Sequence, residues 1–234
     1  MTLFAIGDLH LPGGEEKPMD IFGDHWENHF AHIAADWRAR VKDGDVVLIP
    51  GDISWAMQLE RAVPDLQKIG ALPGRKVLIK GNHDYWWNTV SKMKRMTDNA
   101  FEFIFNSALS VENIALAGTR GWIPETSKKI TEEDKVIILR EQGRLERSLI
   151  EAEKFNCEKI FAILHYPPFD EQRRPTKMME IMKSHGVTDC IYGHIHGKQN
   201  FNNLPKELEG IQLHLTSSDY LNFKPLLLTE WNES

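Results

Sequence analysis

Seven short runs rich in Val, Ile and Leu recur along the chain, and they most constrain what it can fold into. They occupy residues 3–6, 46–49, 77–79, 114–117, 160–164, 190–192 and 226–228. Nearly continuous apolar runs of this length read as strands buried on both faces. Amphipathic stretches lie between them. Trp26, Phe30, Ile33, Trp37 and Val41 recur at helical spacing behind Asp24, a candidate N-cap. Residues 134–154, with Leu139, Leu145, Leu149 and Ile150 on one face, read as a second helix, and 176–185 as a third. Residues 57–69 are helical in pattern, with Pro64 expected to kink or divide them. Residues 111–114 read as a strand or hairpin. Strand and helix alternate from end to end, which implies an α/β fold with parallel crossovers. There is no internal repeat, Gly/Ser-rich linker or composition shift, so residues 1–234 read as a single domain.

Five of the runs lead straight into metal-ligating residue types. Asp8 and His10 follow the first, Asp52 the second, and Asn82-His83-Asp84 the third; His165 follows the fifth, and His194 and His196 the sixth. In open α/β sheets ligands bind at the carboxyl ends of strands. Asp8 and His10 are two apart, so on an extended backbone their side chains leave on the same side, and His194 and His196 share that spacing. Seven N/O donors (Asp8, His10, Asp52, Asn82, His165, His194, His196) suffice for two metals sharing one bridging carboxylate. No Cys is among them, which favours a borderline or hard cation. Gly51, Gly81 and Gly193 each precede a donor, where a backbone must turn sharply or pass close to an ion.

In order, D-x-H, G-D, G-N-H-D, a lone His and G-H-x-H over residues 8–196 resemble the calcineurin-like metallophosphoesterase superfamily, in its branch of bacterial stand-alone phosphohydrolases. The resemblance implies a four-layer α-β-β-α double β-sandwich and two divalent ions, Mn²⁺ first, with Fe, Zn or Ni as alternatives. It implies one ion on Asp8, His10, Asp52 and His196 and a second on Asp52, Asn82, His165 and His194, with Asp52 bridging. His83 would face the substrate as general acid, with Asp84 orienting its imidazole and raising its pKa. A metal-bridging hydroxide would attack the phosphorus. The implied substrate is a small phosphodiester or phosphomonoester, a nucleotide among the candidates. The alternatives are a DNA or RNA nuclease of the same superfamily and a scaffold that keeps the fold without catalysis. The second motif, Gly51-Asp52-Ile53-Ser54-Trp55, lacks the phosphate-gripping Arg of the protein-phosphatase branch. His83 stands where lipid-pathway pyrophosphohydrolases usually have Arg.

Aromatic residues gather around these motifs: Trp55, Tyr85-Trp86-Trp87, Trp122, Tyr166 and Phe169. They read either as a pocket that stacks a flat group or as core. Trp55, Arg120, Trp122 and Tyr166 are the candidate substrate contacts, with Arg120 either a fork for phosphate or a solvated loop residue. His25, His29 and His32 lie on one helical flank and read as a solvated face. The loop over 12–23 is long for a strand-to-helix connection and reads as a lid that would bring Asn28 or His29 near the site. The net charge of -6, from 28 Lys+Arg against 34 Asp+Glu, argues against stable nucleic-acid binding or adsorption to anionic membranes. No apolar run approaches the roughly 18 residues of a membrane span. Residues 1–7 have no basic n-region, and Cys157 and Cys190 belong to no C-x-x-C pair and read as buried reduced thiols. A cytoplasmic protein is expected.

Overall fold

The computed structural model describes residues 1–14 and 19–231; of the expected lid over 12–23, residues 15–18 lie outside the described residues. In chain order the elements are β1 (Thr2–Ala5), α1 (His29–Arg40), β2 (Val46–Ile49), α2 (Leu59–Gly70), β3 (Arg75–Leu78), α3 (Val90–Met96), β4 (Phe101–Phe103), β5 (Ala108–Val111), β6 (Ile114–Thr119), α4 (Glu132–Glu153), β7 (Lys159–Leu164), α5 (Lys177–Ser184), β8 (Val187–Tyr192), β9 (Glu207–Leu208), β10 (Ile211–Leu215) and β11 (Leu226–Glu230). They fall into two compact units, Met1–Phe103 with Thr216–Ser234, and Ile104–Leu215.

The first unit holds a five-stranded sheet in the order β11-β1-β2-β3-β4, parallel except for the edge strand β11. Phe4, Ile6, Val47, Ile49 and Leu78 pack with Ile33 and Trp37 of α1 and Leu59, Leu66 and Ile69 of α2. The alternate residues Leu3, Ala5, Val46, Leu48 and Val77 are equally buried. Burial on both faces is why these strands read as unbroken apolar runs. Each large side chain so buried contributes about 1.5–3 kcal/mol.

The second unit holds a six-stranded sheet in the order β5-β6-β7-β8-β10-β9, parallel in its middle with antiparallel edges. Ala117, Ala162, Leu164, Cys190 and Leu213 pack with Leu145 and Leu149 of α4 and Met179 and Met182 of α5. Here too the alternates Leu116, Phe161, Ile163 and Ile191 are buried. Two mixed sheets and five α-helices among the described residues are consistent with the α/β double-sandwich class.

Two local expectations change, and a third resolves to one of its two readings. Asp24 caps no long helix: it opens a short 3-10 turn, Asp24–Trp26, and α1 begins at His29 after Asn28, whose left-handed φ of 52° breaks the two apart. Pro64 does not divide α2, which runs continuously through it. The carbonyl that loses its partner belongs to Glu60, an exposed residue whose oxygen water can satisfy. Residues 111–114 form the hairpin between β5 and β6, with Val111 paired to Ile114 and Glu112 at φ 50°. The longest helix, α4, starts where its capping box dictates: the Thr131 hydroxyl accepts from Asp134 N, and the Asp134 carboxylate accepts from Thr131 N.

Candidate metal centre

In the first unit the donors lie just beyond β1, β2 and β3, on loops zipped together by backbone hydrogen bonds. Asp8 N donates to Gly51 O, His10 N to Asp52 O, Leu11 N to Ile53 O, and Trp55 N to Leu11 O, at 2.9–3.0 Å. The pleat does not aim the donors as expected. Asp8, His10 and Asp52 have φ of 54°, 44° and 51°, and His194 in the second unit has 72°. A non-glycine residue in this left-handed region costs roughly 1–2 kcal/mol, which the zipped backbone and buried side chains offset. These turns bring the donor atoms of Asp8 and His10 within 4.8 Å of each other, and likewise those of Asp8 and Asp52. All three residues are buried.

The glycines serve these turns in two ways. Gly51 takes φ 87°. Gly81 lies against the second loop, where a Cβ would fall 2.1 Å from Asp52 N. Asp52 Oδ1 accepts from His83 N at 2.8 Å, and Asp52 Oδ2 lies 3.9 Å from His10 Nε2. The His83 ring is half-buried, 4.3 Å from the Trp55 ring, and Trp55 stacks on His10 at 4.9 Å. Trp55 thus stands beside two proposed functional imidazoles. Of the other aromatics, Trp86 and Phe169 are core, Trp87 packs on Phe103, and Tyr85 is exposed.

Asp84 does not orient His83. Its fully buried carboxylate accepts from Gly81 N at 2.7 Å, Ile53 N at 2.9 Å, Ser54 N at 3.3 Å and Trp86 Nε1 at 2.9 Å, and among the described residues it makes no bond to His83. These partners hold the loop after β2 to the loop after β3. Burial, and then the charge of Asp52, push the Asp84 carboxyl up to about 6 against the pull of its N–H donors.

Two further supports escaped the sequence reading. Asp65 of α2, buried, accepts from Gly13 N at 2.6 Å and from Ser54 Oγ at 2.9 Å. A carboxylate on the buried stripe of Ala62, Leu66 and Ile69 was the signal that could have found it. His29 lies inside and not on a solvated face, whereas His25 and His32 are exposed. Its Nε2 is 2.8 Å from Leu9 O and its Nδ1 3.1 Å from Trp26 O. Burial lowers its pKa while the two carbonyls pull the other way. The shorter contact is to Leu9, the residue between Asp8 and His10.

In the second unit, His165 follows β7 and is fully buried. His165 N and Tyr166 N both donate to Arg120 O, and Gly193 N donates to His165 O. His194 Nδ1 lies 3.3 Å from His165 Nε2. Two imidazoles on one tetrahedral ion, with bonds of about 2.0–2.1 Å, have their nitrogens about 3.3–3.4 Å apart. The pair therefore fits shared ligation. Tyr166 packs 4.1 Å from the His194 ring, and His196, half-buried, accepts at its carbonyl from Asn200 Nδ2.

Arg120 is neither a solvated loop residue nor an open fork. Its Nη2 is 3.5 Å from the buried Glu141 and its guanidinium lies 4.3 Å above the Trp122 ring. Glu141 also accepts from Thr119 Oγ1 and Arg144 Nη1. Trp122 donates to Asp134 of the α4 cap and stands 5.4 Å from Tyr166. Cys190 is buried, as expected, but Cys157 is partly exposed.

A match to the calcineurin-like phosphoesterase family model covers residues 1–198. The gene 66 protein of Mycobacterium phage L5 is 40% identical over 79 residues, 33% of this chain and 37% of that protein, so the match spans little over a third of the relative. Two solved structures share the fold. The protein of unknown function AQ665 from Aquifex aeolicus has a TM-score of 0.53 at 17% identity, covering 97% of this chain and 95% of that one. TT1561 of Thermus thermophilus has a TM-score of 0.57 at 11% identity, covering 91% and 87%. The family match over most of the chain, on the residues that form these donor loops, shows that the chain belongs to the calcineurin-like phosphoesterase family.

Proposed function

We propose that this chain is a metal-dependent phosphoesterase that hydrolyses a small phosphomonoester or phosphodiester with two divalent ions. The observation that carries this reading is the buried cluster of Asp8, His10 and Asp52. Two buried carboxylates with donor atoms this close repel each other, and a cation offsets that repulsion. Asp8, His10, Asp52 and His196 would hold one ion and Asp52, Asn82, His165 and His194 the other, Mn²⁺ being the first candidate. When bound, such a pair supplies a hydrolytic nucleophile at neutral pH and offsets charge on the phosphoryl oxygens.

The chain's own residues do the rest. Asp52 accepts from the N–H of His83, which holds the His83 backbone beside the proposed bridging carboxylate. His83, protonated, donates to the leaving oxygen. Trp55 packs its ring against both His10 and His83 and limits their rotation. Asp84 and Asp65 hold the loops and touch no substrate. Arg120 already serves a buried carboxylate, which leaves phosphate recognition to the ions and His83. The free thiols suit the reducing cytoplasm, and the acidic charge favours a small substrate over a nucleic acid.

The test is an assay on p-nitrophenyl phosphate and bis-p-nitrophenyl phosphate, with Mn²⁺ and after chelation. Turnover that needs the ion, and that Asp52→Asn reduces at least a hundredfold, is expected. Equal turnover after exhaustive chelation would defeat the metal-dependent reading.

A further inference from the structure

Within the first unit a cavity of about 400 Å³ opens onto His10. The half-buried Phe30, with the buried Met19 and Trp26, gives it an apolar, aromatic lining, and Asp20 and Glu27 add two exposed carboxylates. No Lys or Arg stands among the described residues that line it. His29 also stands in the wall, and burial lowers its pKa. Trp26 is held firmly, its ring 5.2 Å from Phe223 and 5.2 Å from His29, and it stands 6.0 Å from His10.

An aromatic face combined with carboxylates is the chemistry that recognises an organic ammonium group. A second phosphate or a carboxylate in the same place would meet two like charges. We propose that this cavity receives the organic group of the substrate, and that this group carries an ammonium charge. The preferred substrate is then a phosphoester of an amino alcohol or choline-like alcohol. This rests on the phosphoesterase reading above and narrows it. Position supports the assignment: the cavity reaches His10, a proposed metal ligand, so a phosphate held by the ions would extend its substituent past Phe30 towards Asp20 and Glu27.

The test compares p-nitrophenyl phosphorylcholine with p-nitrophenyl 3,3-dimethylbutyl phosphate, which has the same shape but carbon in place of the charged nitrogen. The Mn²⁺-loaded protein is expected to prefer the choline ester about tenfold or more in kcat/KM, mainly through KM. The double variant Asp20→Asn, Glu27→Gln should bring that ratio close to one. Calorimetry of phosphocholine against 3,3-dimethylbutyl phosphate should show the same preference without turnover. A ratio near one in the native protein, or a preference that the double variant leaves intact, overturns the assignment. Bis-p-nitrophenyl phosphate separates the two failures. If it is hydrolysed while charge brings no preference, only the ammonium assignment falls; if no ester is hydrolysed with any divalent ion, the phosphoesterase reading falls and calorimetry alone decides the cavity.

Discussion

His83 is the residue at which chemistry and metal binding come apart. Its backbone N–H donates to Asp52, a contact that alanine keeps, so His83→Ala should keep both ions by metal analysis and lose about 10²–10⁴ in kcat. Loss of an ion in that variant would make His83 a ligand. Asp84 should behave in the opposite way. Asp84→Ala leaves four N–H donors without their carboxylate. At about 1–3 kcal/mol for each buried donor left unsatisfied, urea unfolding should show a loss of about 4 kcal/mol or more. The thiols offer a third check: Cys190, whose pKa burial raises, should resist a thiol reagent while Cys157 reacts, giving one fast equivalent in the native protein and two after denaturation. At this scale the donor identities were legible, because Asp, Asn and His stand where apolar runs stop. The left-handed turns at Asp8, His10, Asp52 and His194 were not, since Asp and His give no sign of φ. The bonds of Asp84 were not legible because two of its four donors come from a loop some thirty residues back and the other two are a backbone N–H and an indole on either side of it.

Between residue and fold, helices brace the donor loops. His29 of α1 anchors the carbonyl of Leu9, between two proposed ligands. His29→Phe keeps a ring but loses the donor, and it should weaken Mn²⁺ affinity about tenfold, within the 10–100-fold typical of supporting partners. His29→Gln, which can still donate, should recover part of that affinity. A fall in melting temperature with Mn²⁺ affinity unchanged would make His29 merely structural. For α4, Thr131→Ala removes the capping hydroxyl and should cost about 1 kcal/mol, read by the same denaturation. The strands buried on both faces were legible, because nothing but apolar residues fits there. β10 was missed because its residues alternate buried and exposed, and β4 and β9 because three and two residues make no pattern. Pro64 leaves α2 undivided because its lost hydrogen bond falls at an exposed carbonyl that water can satisfy.

Over the whole molecule, each unit carries its own apolar cluster, and the passages between units, at 103–104 and 215–216, carry no Gly- or Ser-rich linker. Composition therefore cannot mark them, and the single functional domain remains a proposal. Four of the proposed ligands belong to the first unit and three to the second. Their order along the chain was legible from five motifs, and the family match bears out that resemblance. The supporting roles of the carboxylates were not legible, since they act through backbone atoms that no motif records, and His29 was named near the site without its bond to Leu9. The measurement that tests the central claim most directly counts divalent ions per chain on dialysed protein while bis-p-nitrophenyl phosphate hydrolysis is followed during Mn²⁺ titration. Two tightly bound equivalents are expected, with turnover rising as the sites fill and vanishing on chelation. Protein that binds no divalent ion and hydrolyses no ester under any of them would contradict the account.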